Sequence, residues 1–343
     1  MTHHKIINAN SANLEQVRDS SINLIVTSPP YPMIEMWDDM FKEQNPEISD
    51  LLDGGNGREA FEKMHSILNN VWDECDRVLA NNGFICINIG DATRTLNGEF
   101  QLYSNHSKII EYFTQLGYSV LPDILWRKQS NSPNKFMGSG MYPAGAYVTY
   151  EHEYILIFRK GGKRTFKGAE KKFRQKSAYF WEERNVWFSD LWEVKGTSQI
   201  IKNNNSSRLR NASFPLEIPY RLVNMYSSEG DTVLDPFCGF GTTNLACIAS
   251  KRNSIGVEID SNIVQAAIDR MKIDRQLINS IIETRIQNHL SFIDSLSDDK
   301  KEKCYLNTPH KFLVKTKQET AIHIQKIHTI KQSDNNCILC SYK

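Results

Sequence analysis

The sequence lacks the features that mark several classes of protein. No apolar run approaches the roughly 18 residues that a membrane-spanning helix needs, and the opening Met-Thr-His-His-Lys has no apolar signal-peptide core. The 7 cysteines are odd in number and scattered, unlike a secreted disulfide framework. These absences predict a cytoplasmic protein that does not bind membranes. With 343 residues, 40% of them hydrophobic, the chain has room for a large core and more than one domain.

Charge is unevenly distributed, although the net charge is only +1. Residues 35–76 hold 12 acidic and 3 basic residues, and residues 159–210 hold 14 basic and 5 acidic residues. A solvated face is the usual meaning of such an acidic run. The basic run also contains aromatic residues: Phe166, Phe173, Tyr179, Phe180, Trp181, Trp187, Phe188 and Trp192. Cations beside aromatic rings suit a nucleic-acid surface, whereas a small domain with an aromatic core has the same composition.

Short apolar runs alternate with segments of helical period along most of the chain. The predicted strands cover residues 22–26, 84–89, 119–126, 154–158, 232–234 and 254–257. The predicted helices cover residues 61–79, 109–116, 219–226 and 242–249, with a long helix from 262 onward. This alternation predicts an α/β fold with a doubly wound parallel sheet and helices on both faces.

A glycine-rich loop follows the strand at 232–234. Gly239 and Gly241 allow the backbone to approach a ligand closely, and the helix that begins at Thr242 adds free N–H groups. Glu258 follows the next strand, about twenty residues later, where a carboxylate suits two ribose hydroxyls. The third glycine of the dinucleotide fingerprint is missing, since Thr243 follows Thr242. The pattern therefore favours a nucleoside bearing an amino acid over NAD.

A second motif, Thr27-Ser28-Pro29-Pro30-Tyr31, follows the strand at 22–26. The two prolines fix the backbone and remove two N–H donors. Carbonyl oxygens, a hydroxyl and an aromatic ring remain, which together can accept hydrogen bonds from an amine and stack on a flat ring. A plain proline turn would explain Pro-Pro alone, but the full string favours a functional site.

Together these two motifs resemble the amino-methyltransferases that modify exocyclic amines in DNA. The catalytic string comes first, the basic insert second and the cofactor loop last, which is similar to the β group of this family. Residues 124–128 with Asn131, and Phe214-Pro215 with Pro219, also resemble family segments. The resemblance implies a Rossmann-like methyltransferase sheet with an inserted DNA target-recognition region. The expected parts are a catalytic part (1–129), a recognition insert (130–212), a cofactor-binding part (213–295) and an extension of unknown role (296–343).

The resemblance also implies S-adenosylmethionine as methyl donor and a flipped base of double-stranded DNA as acceptor. The Ser28 hydroxyl and the Pro29 carbonyl would accept hydrogen bonds from the amine, Pro30 would hold the turn, and Tyr31 would stack on the base. The expected cofactor-binding residues are Asp235, Phe237, Gly239, Gly241, Thr242, Glu258 and, at the end of another strand, Asp91.

Serine at the first position of the tetrapeptide resembles the enzymes that methylate N4 of cytosine, whereas the N6-adenine enzymes more often carry aspartate. We therefore predict a site-specific N4-cytosine methyltransferase that protects host DNA from a restriction endonuclease with the same target. N6-adenine methylation, an RNA acceptor, a DNA-binding protein without catalysis and an NAD-dependent oxidoreductase remain alternatives. Carbon-5 methylation of cytosine is set aside, because none of the cysteines follows a proline.

Target recognition is expected in the basic insert, where cations contact phosphates and one or two arginines read guanine edges. The candidates are Arg159, Lys163, Arg164, Arg174, Arg184, Arg208 and Arg210. Zinc-compatible residues in the C-terminal extension are His323, His328, Cys337 and Cys340. The histidines precede the cysteines, which reverses the usual order of such ligands, and all four residues lie in the C-terminal tail. Both facts favour a hairpin with incidental cysteines, so no metal site is predicted.

Overall fold

A sheet of ten strands organises the chain. The computed structural model describes residues 1–128, 137–138, 141–195, 214–334 and 336–343. Asn131, Arg208 and Arg210 lie outside these residues. The strands are β1 (Thr2–Asn8), β2 (Ile22–Thr27), β3 (Leu79–Ile89), β4 (Ala92–Leu96), β5 (Glu99–Tyr103), β6 (Ser119–Arg127), β7 (Met137–Gly138), β8 (Ala146–Tyr147), β9 (His152–Arg159), β10 (Leu191–Trp192), β11 (Thr232–Asp235), β12 (Asn253–Glu258), β13 (Tyr305–Leu306), β14 (Leu313–Val314), β15 (Ile327–Asp334) and β16 (Cys337–Tyr342).

Helices connect these strands. They are α1 (Asp38–Gln44), α2 (Glu47–Asp53), α3 (Gly57–Val78), α4 (Asn105–Gln115), α5 (Gly168–Lys176), α6 (Trp181–Trp187), α7 (Glu217–Tyr226), α8 (Thr242–Ala249), α9 (Ser261–Ile273), α10 (Arg275–Asp294) and α11 (Asp298–Lys301). Within the described ranges, none of them is long and apolar enough to cross a membrane.

The sheet is parallel at its centre, and antiparallel pairs flank this centre on both sides, with one further parallel pair, β10–β6, at one end. Its order is β10-β6-β9-β3-β2-β11-β12-β1-β16-β15, and the five strands from β3 to β1 run parallel. Strand β9 runs antiparallel to β3 and β6, and β16 runs antiparallel to β1. The expected α/β fold is confirmed, but the alternation of elements did not predict these antiparallel strands. The carboxyl ends of the five central strands share one edge of the sheet, which we call the site edge.

Hydrophobic cores cover both faces of the sheet. In β2, Leu24 and Val26 belong to one core and Ile25 to the other, as the alternation of side chains along a strand requires. The first core contains residues of α7, α8 and α10. The second is built on α3 and α4. The sheet is therefore wound by helices on both faces, as the sequence predicted.

The aromatic residues of the basic stretch divide between core and surface. Phe180, Trp187 and Trp192 are buried, and Trp192 lies in β10 of the main sheet. Phe173 and Trp181 are exposed. The interpretation as core aromatics is thus correct for the three buried rings. The division of the chain into four parts stays a prediction.

The C-terminal segment extends the main sheet. Strand β16 pairs with β1, from Thr2 opposite Cys340 to Lys5 opposite Cys337, and β15 pairs with β16. Cys340 is buried in this hairpin, and His328 lies in β15. Across the part of the chain that the structure describes, no group of three or more metal-ligating residues is suitably placed.

Candidate active site

The two sequence motifs meet at the site edge. Thr27 ends β2 and Asp235 ends the neighbouring β11, and the Thr27 hydroxyl donates a buried hydrogen bond of 2.6 Å to the Asp235 carboxylate. A cavity of about 350 Å³ opens beside this contact, with Ser28 and Pro30 on one wall and the loop after β11 on another. This volume lies within the range of small-molecule sites. The structure therefore brings the proline-rich string and the glycine loop together.

The glycine loop adopts a backbone that favours glycine. Gly239 and Gly241 have φ angles of 47° and 73°, in the left-handed region where a Cβ is strained. Gly241 caps the N-terminus of α8 and thereby shapes the loop. It does not belong to the residues that line the cavity. Gly239 and Thr242 line the cavity, and Arg270 supports the loop by donating to the Thr242 hydroxyl at 3.1 Å.

Glu258 is fixed by backbone donors. Its two carboxylate oxygens accept from the N–H groups of Gly239, at 3.1 Å, and Asp260, at 3.0 Å. Glu258 also lines the cavity at the end of β12. Because the carboxylate is already oriented, it presents remaining lone pairs to a ligand without reorganisation, as ribose hydroxyls require.

Burial shifts the ionisation of two of the carboxylates that line the cavity, Asp235 and Glu258. Desolvation raises the pKa of Asp235 to about 6, although hydrogen bonds from Thr27 and the Phe237 N–H act in the opposite direction. Desolvation also raises the pKa of Glu258. A positively charged ligand would favour the ionised form of both groups, so the cavity is electrostatically suited to a cation.

Most of the remaining cavity wall is apolar. Phe237 lines the cavity and packs edge-on against Trp72, with ring centroids 6.0 Å apart. Lining residues that were not predicted from the sequence include Asn10, Ser11, Trp37, Met40, Gln44, Ile67, Leu68, Val71 and Asp260. Trp37, Met40 and Gln44 come from the acidic segment that was expected to be a solvated face. The sequence signal for this part of the wall was the presence of two large apolar residues, Trp37 and Met40, within an acidic run.

A buried hydrogen-bond network lies behind Ser28. The Ser28 Oγ atom is 3.1 Å from the Tyr31 hydroxyl oxygen, and the Tyr31 hydroxyl donates to Glu153 Oε2 at 3.0 Å. Asn88 Nδ2 donates to the Tyr31 oxygen at 2.8 Å and to Glu153 Oε2 at 2.7 Å. Lys128 forms an ion pair with Glu153 Oε1. Burial and the nearby Glu153 raise the pKa of Tyr31 well above its ordinary value.

Asn88 and Glu153 were not predicted as site residues from the sequence. Asn88 is a buried polar residue within the apolar strand β3, which was a weak signal. Glu153 lies in β9, far along the chain from Tyr31. Strand β9 pairs with β3, which brings Glu153 to the site edge. Only the sheet order reveals that proximity.

Asp91 lies near the site edge, but the structure does not bring it to the cavity. Its carboxylate contacts the His106 ring Nδ1 at 2.7 Å and accepts from the Tyr150 hydroxyl at 3.1 Å. The His106 N–H donates to it as well. Asp91 therefore orders the start of α4 and the segment before β9, and its contact with a cofactor stays a prediction.

The described cations of the insert lie in different places. Arg159 ends β9 opposite Phe84, at the edge of the sheet away from the cavity, and Arg164 is held near it by two hydrogen bonds to Asp231. The structure therefore does not bring Arg159 or Arg164 to the site edge. Arg174 and Arg184 lie over the rings of Phe166 and Phe188.

Two other cations lie at the site edge, because β6 runs parallel to β3. Arg127 ends β6 opposite His152, and its side chain is 56% exposed. Lys128 follows it and reaches Glu153. These two residues are nearer to the cavity than Arg159 and Arg164, which the charge pattern had singled out.

Sequence comparison places this chain within a known family. Residues 22–269 match the DNA methylase family. The chain is 51% identical to the type II methyltransferase M.MthZI of Methanothermobacter thermautotrophicus, over 98% of this chain and 94% of that protein. The chain belongs to the DNA methylase family. The predicted resemblance to the β group of DNA amino-methyltransferases is thereby confirmed.

Other comparisons agree with this membership. The methylase is 50% identical to the type II methyltransferase M.MjaI of Methanocaldococcus jannaschii, over 81% of this chain and 94% of that protein. A Thermus thermophilus protein named as a DNA modification methylase has been solved with S-adenosyl-L-methionine. It superimposes with a TM-score of 0.61 at 29% identity, covering 79% of this chain and 95% of that chain. The methylase family, and with it an enzyme that acts on DNA, is therefore established.

Proposed function

We propose that this DNA methylase transfers a methyl group from S-adenosylmethionine to N4 of cytosine in double-stranded DNA. The observation that carries the proposal is the contact between Thr27 and Asp235, because it joins the Ser28–Tyr31 string to the cavity. The complex of the Thermus relative with S-adenosylmethionine supports the choice of methyl donor. Serine rather than aspartate at position 28 supports cytosine over adenine.

The cavity residues fit this methyl donor. Glu258 accepts hydrogen bonds from the ribose hydroxyls, and the apolar wall around Phe237 receives the adenine ring. Asp235, Gly239 and Thr242 surround the methionine part, with Gly241 fixing the turn. S-adenosylmethionine, when bound, supplies an electrophilic methyl group on a positively charged sulfur. The negative charge of Asp235 and Glu258 complements that charge.

Ser28 and its neighbours hold the acceptor base. An exocyclic amine is a weak nucleophile, because its lone pair is delocalised into the ring. Hydrogen bonds from the amine to the Ser28 hydroxyl and the Pro29 carbonyl hold it towards tetrahedral geometry and in line with the methyl group. Positioning of this kind contributes up to about 7–11 kcal/mol in intramolecular models. Such geometry requires the base to leave the duplex, and stacking on Tyr31 offsets part of that cost.

Analysis of modified nucleosides tests this function. Purified protein is incubated with duplex DNA and labelled S-adenosylmethionine, and the DNA is digested and separated by mass spectrometry. We expect N4-methylcytosine. N6-methyladenine would establish adenine as the methylated base instead. The Ser28 hydroxyl and the Pro29 carbonyl can accept hydrogen bonds from either amine. Absence of label from DNA under conditions where the protein binds both ligands would contradict methyl transfer.

We further propose that the enzyme protects DNA from a restriction endonuclease with the same target. The type II methyltransferases M.MthZI and M.MjaI, which resemble it over most of its length, support this context. Sequencing of modified bases in DNA from cells that express the protein should reveal one short methylated motif. Methylation spread over unrelated sequences would contradict a site-specific role.

A further inference from the structure

A hydrogen-bond chain leads from the cavity wall to a buried carboxylate. It begins at Ser28, which lines the cavity, and continues over 3.1 Å to the Tyr31 hydroxyl. It ends at Glu153 Oε2, 3.0 Å further on. Glu153 is only 7% exposed, so a direct exchange of protons with bulk water is restricted there.

Methylation of an amine creates a need for such a chain. As the amine nitrogen forms its new N–C bond, the C–S bond breaks and its electron pair stays on sulfur. The nitrogen then carries a positive charge and one proton too many, and a neutral methylated base forms only when that proton leaves. A serine hydroxyl is too weak a base to keep the proton, whereas a carboxylate can.

The surrounding donors set the direction of the chain. Lys128 occupies Glu153 Oε1, and Asn88 donates to both Glu153 Oε2 and the Tyr31 oxygen. Since the Tyr31 proton points to Glu153, the Tyr31 oxygen accepts from Ser28. Asn88 Nδ2 also donates to Ser28 Oγ over a longer distance of 3.4 Å. The other lone pair of Ser28 is then available to an amine in the cavity.

We propose that Glu153 receives the proton of the target amine through Ser28 and Tyr31. The amine gives a proton to Ser28 Oγ, the Ser28 proton passes to the Tyr31 oxygen, and the Tyr31 proton passes to Glu153 Oε2. One O–H bond breaks and one forms at each hydroxyl, so both end neutral and Glu153 ends as a carboxylic acid. Glu153 touches no substrate and acts through the two hydroxyls. The proposal rests on the proposed methyl transfer.

The ionisation of Tyr31 agrees with the role of a carrier. Burial and Glu153 raise the pKa of the phenol well above its ordinary value, so the phenolate does not accumulate at neutral pH. Tyr31 therefore passes a proton on only while it gains another from Ser28. The proton transfer therefore does not need a free Tyr31 phenolate to act as a base.

The variant Glu153→Gln tests the relay in the full-length protein with duplex DNA. Glutamine keeps the shape and still accepts from Tyr31, but it cannot take up a proton. We expect the single-turnover rate of methyl transfer to fall by about 100-fold or more, from the lower end of the usual range for acid–base groups upward. The dissociation constants of S-adenosylmethionine and DNA should stay within about threefold. The residual rate should rise with pH above neutrality more steeply than in the wild type, because hydroxide replaces the missing acceptor.

Two further variants complete the test. Glu170→Gln makes the same change at an exposed carboxylate on α5 and should leave the rate unchanged. Tyr31→Phe removes one hydroxyl of the hydrogen-bond chain and should lower the rate as Glu153→Gln does. If Glu153→Gln does not fold, the rate of Tyr31→Phe tests the relay in its place. A rate of Glu153→Gln within about threefold of the wild type, or an equal loss at every pH, would overturn the relay. A wild-type protein that binds DNA and methylates none of it would instead overturn the proposed function.

Discussion

Tyr31 occupies its place in the site because residue 90 has no side chain. A Cβ at Gly90 would lie 3.0 Å from Tyr31 Cε2 and 3.2 Å from Glu153 Cγ, so one of the two side chains would have to move. For Gly90→Ala we expect methyl transfer to slow by about 10-fold to 100-fold, as small displacements of reacting groups do. Single-turnover kinetics measure the rate, and thermal unfolding measures the stability.

The matched control for this change is Gly162→Ala. A Cβ there would meet its nearest atom, in Asn82, at 3.8 Å, which is ordinary van der Waals contact. That variant should transfer methyl groups at the wild-type rate. Full activity of Gly90→Ala would show that the position of Tyr31 does not matter for the reaction.

Asp235 should make cofactor binding depend on pH. Since burial raises its pKa to about 6, it is increasingly protonated below that pH, and a cation then loses a favourable partner. We expect the dissociation constant of S-adenosylmethionine to rise several-fold as the pH falls through about 6, measured by calorimetry. In Asp235→Asn, binding at neutral pH should be weaker and the pH dependence smaller. An unchanged pH dependence in that variant would assign the effect to another group.

The same shift has a consequence for folding. The folded protein holds the Asp235 proton more tightly than the unfolded chain, in which the pKa is near 3.8. The carboxyl group therefore favours folding fully at pH values below 3.8, and this contribution is lost as the pH rises through about 6. The raised pKa therefore adds no stability at neutral pH, where the ionised carboxylate complements a cationic ligand.

At the scale of elements, α1 is attached to the β4–β5 ribbon by one ion pair. Arg94 donates two hydrogen bonds to Asp38, of 2.9 and 2.7 Å, and both side chains are 11% exposed. Trp37 and Met40 on the same segment line the cavity. This pair therefore holds part of the cavity wall in place.

Removal of one partner should loosen that wall. Arg94→Met leaves the Asp38 carboxylate buried and unpaired, so we expect the free energy of unfolding to fall by about 3 kcal/mol. The affinity for S-adenosylmethionine should fall as well. Denaturant unfolding and calorimetry measure the two effects. The double change Asp38→Leu with Arg94→Met removes both charges and should recover part of the stability; an unaltered unfolding midpoint in the single variant would contradict the role of the pair.

The elements differ in how far the sequence predicts them. Helix α8 was predicted at its observed bounds, because an apolar segment follows a glycine loop and ends before a turn. Strand β1 was missed, since its inward positions include Thr2 and His4. His4 is buried between Thr2 and Ser254, and burial lowers its pKa to about 3. The predicted long helix from 262 is two helices that meet at Asp274, and neither proline nor glycine marks the break.

The residues of the candidate site also differ in how far the sequence predicts them. Ser28, Asp235 and Glu258 follow predicted strands, so the rule that carboxyl ends of parallel strands meet was sufficient to place them together. Glu153 was missed, because its contact with Tyr31 depends on β9 pairing antiparallel with β3. Asn88 was missed as well, because its contact with Tyr31 depends on β3 pairing with β2. Such long-range pairing leaves no local pattern in the chain.

At the scale of the whole molecule, the distribution of charge should govern DNA binding. The net charge is only +1, but Arg127 and Lys128 lie at the site edge. Arg127 is 3.6 Å from both Glu151 and Glu193, and Lys128 pairs with Glu153, so DNA phosphates compete with these carboxylates for the two cations. We expect the affinity for DNA to fall at least about 10-fold between 50 and 200 mM salt, because phosphate contacts release counterions. Arg127→Ala should reduce the slope of log K against log salt by about one phosphate contact.

Lys163→Ala is the control for this measurement. Lys163 is exposed and adjoins Arg164, at the edge of the sheet away from the cavity, so its removal should leave the salt slope unchanged. Fluorescence anisotropy with one labelled duplex measures both variants. An affinity that does not change with salt would contradict a DNA surface built on these cations.

The most direct test compares cofactor binding with methyl transfer in Ser28→Ala and Glu258→Ala. Ser28 lines the cavity, and we propose that its hydroxyl accepts a hydrogen bond from the amine. Its loss should therefore lower the single-turnover rate by about 100-fold or more and change the S-adenosylmethionine dissociation constant by no more than about threefold. Glu258→Ala should weaken cofactor binding at least about tenfold, because an oriented charged acceptor is lost. Equal losses of binding and transfer in Ser28→Ala would contradict the separate roles assigned to the two loops.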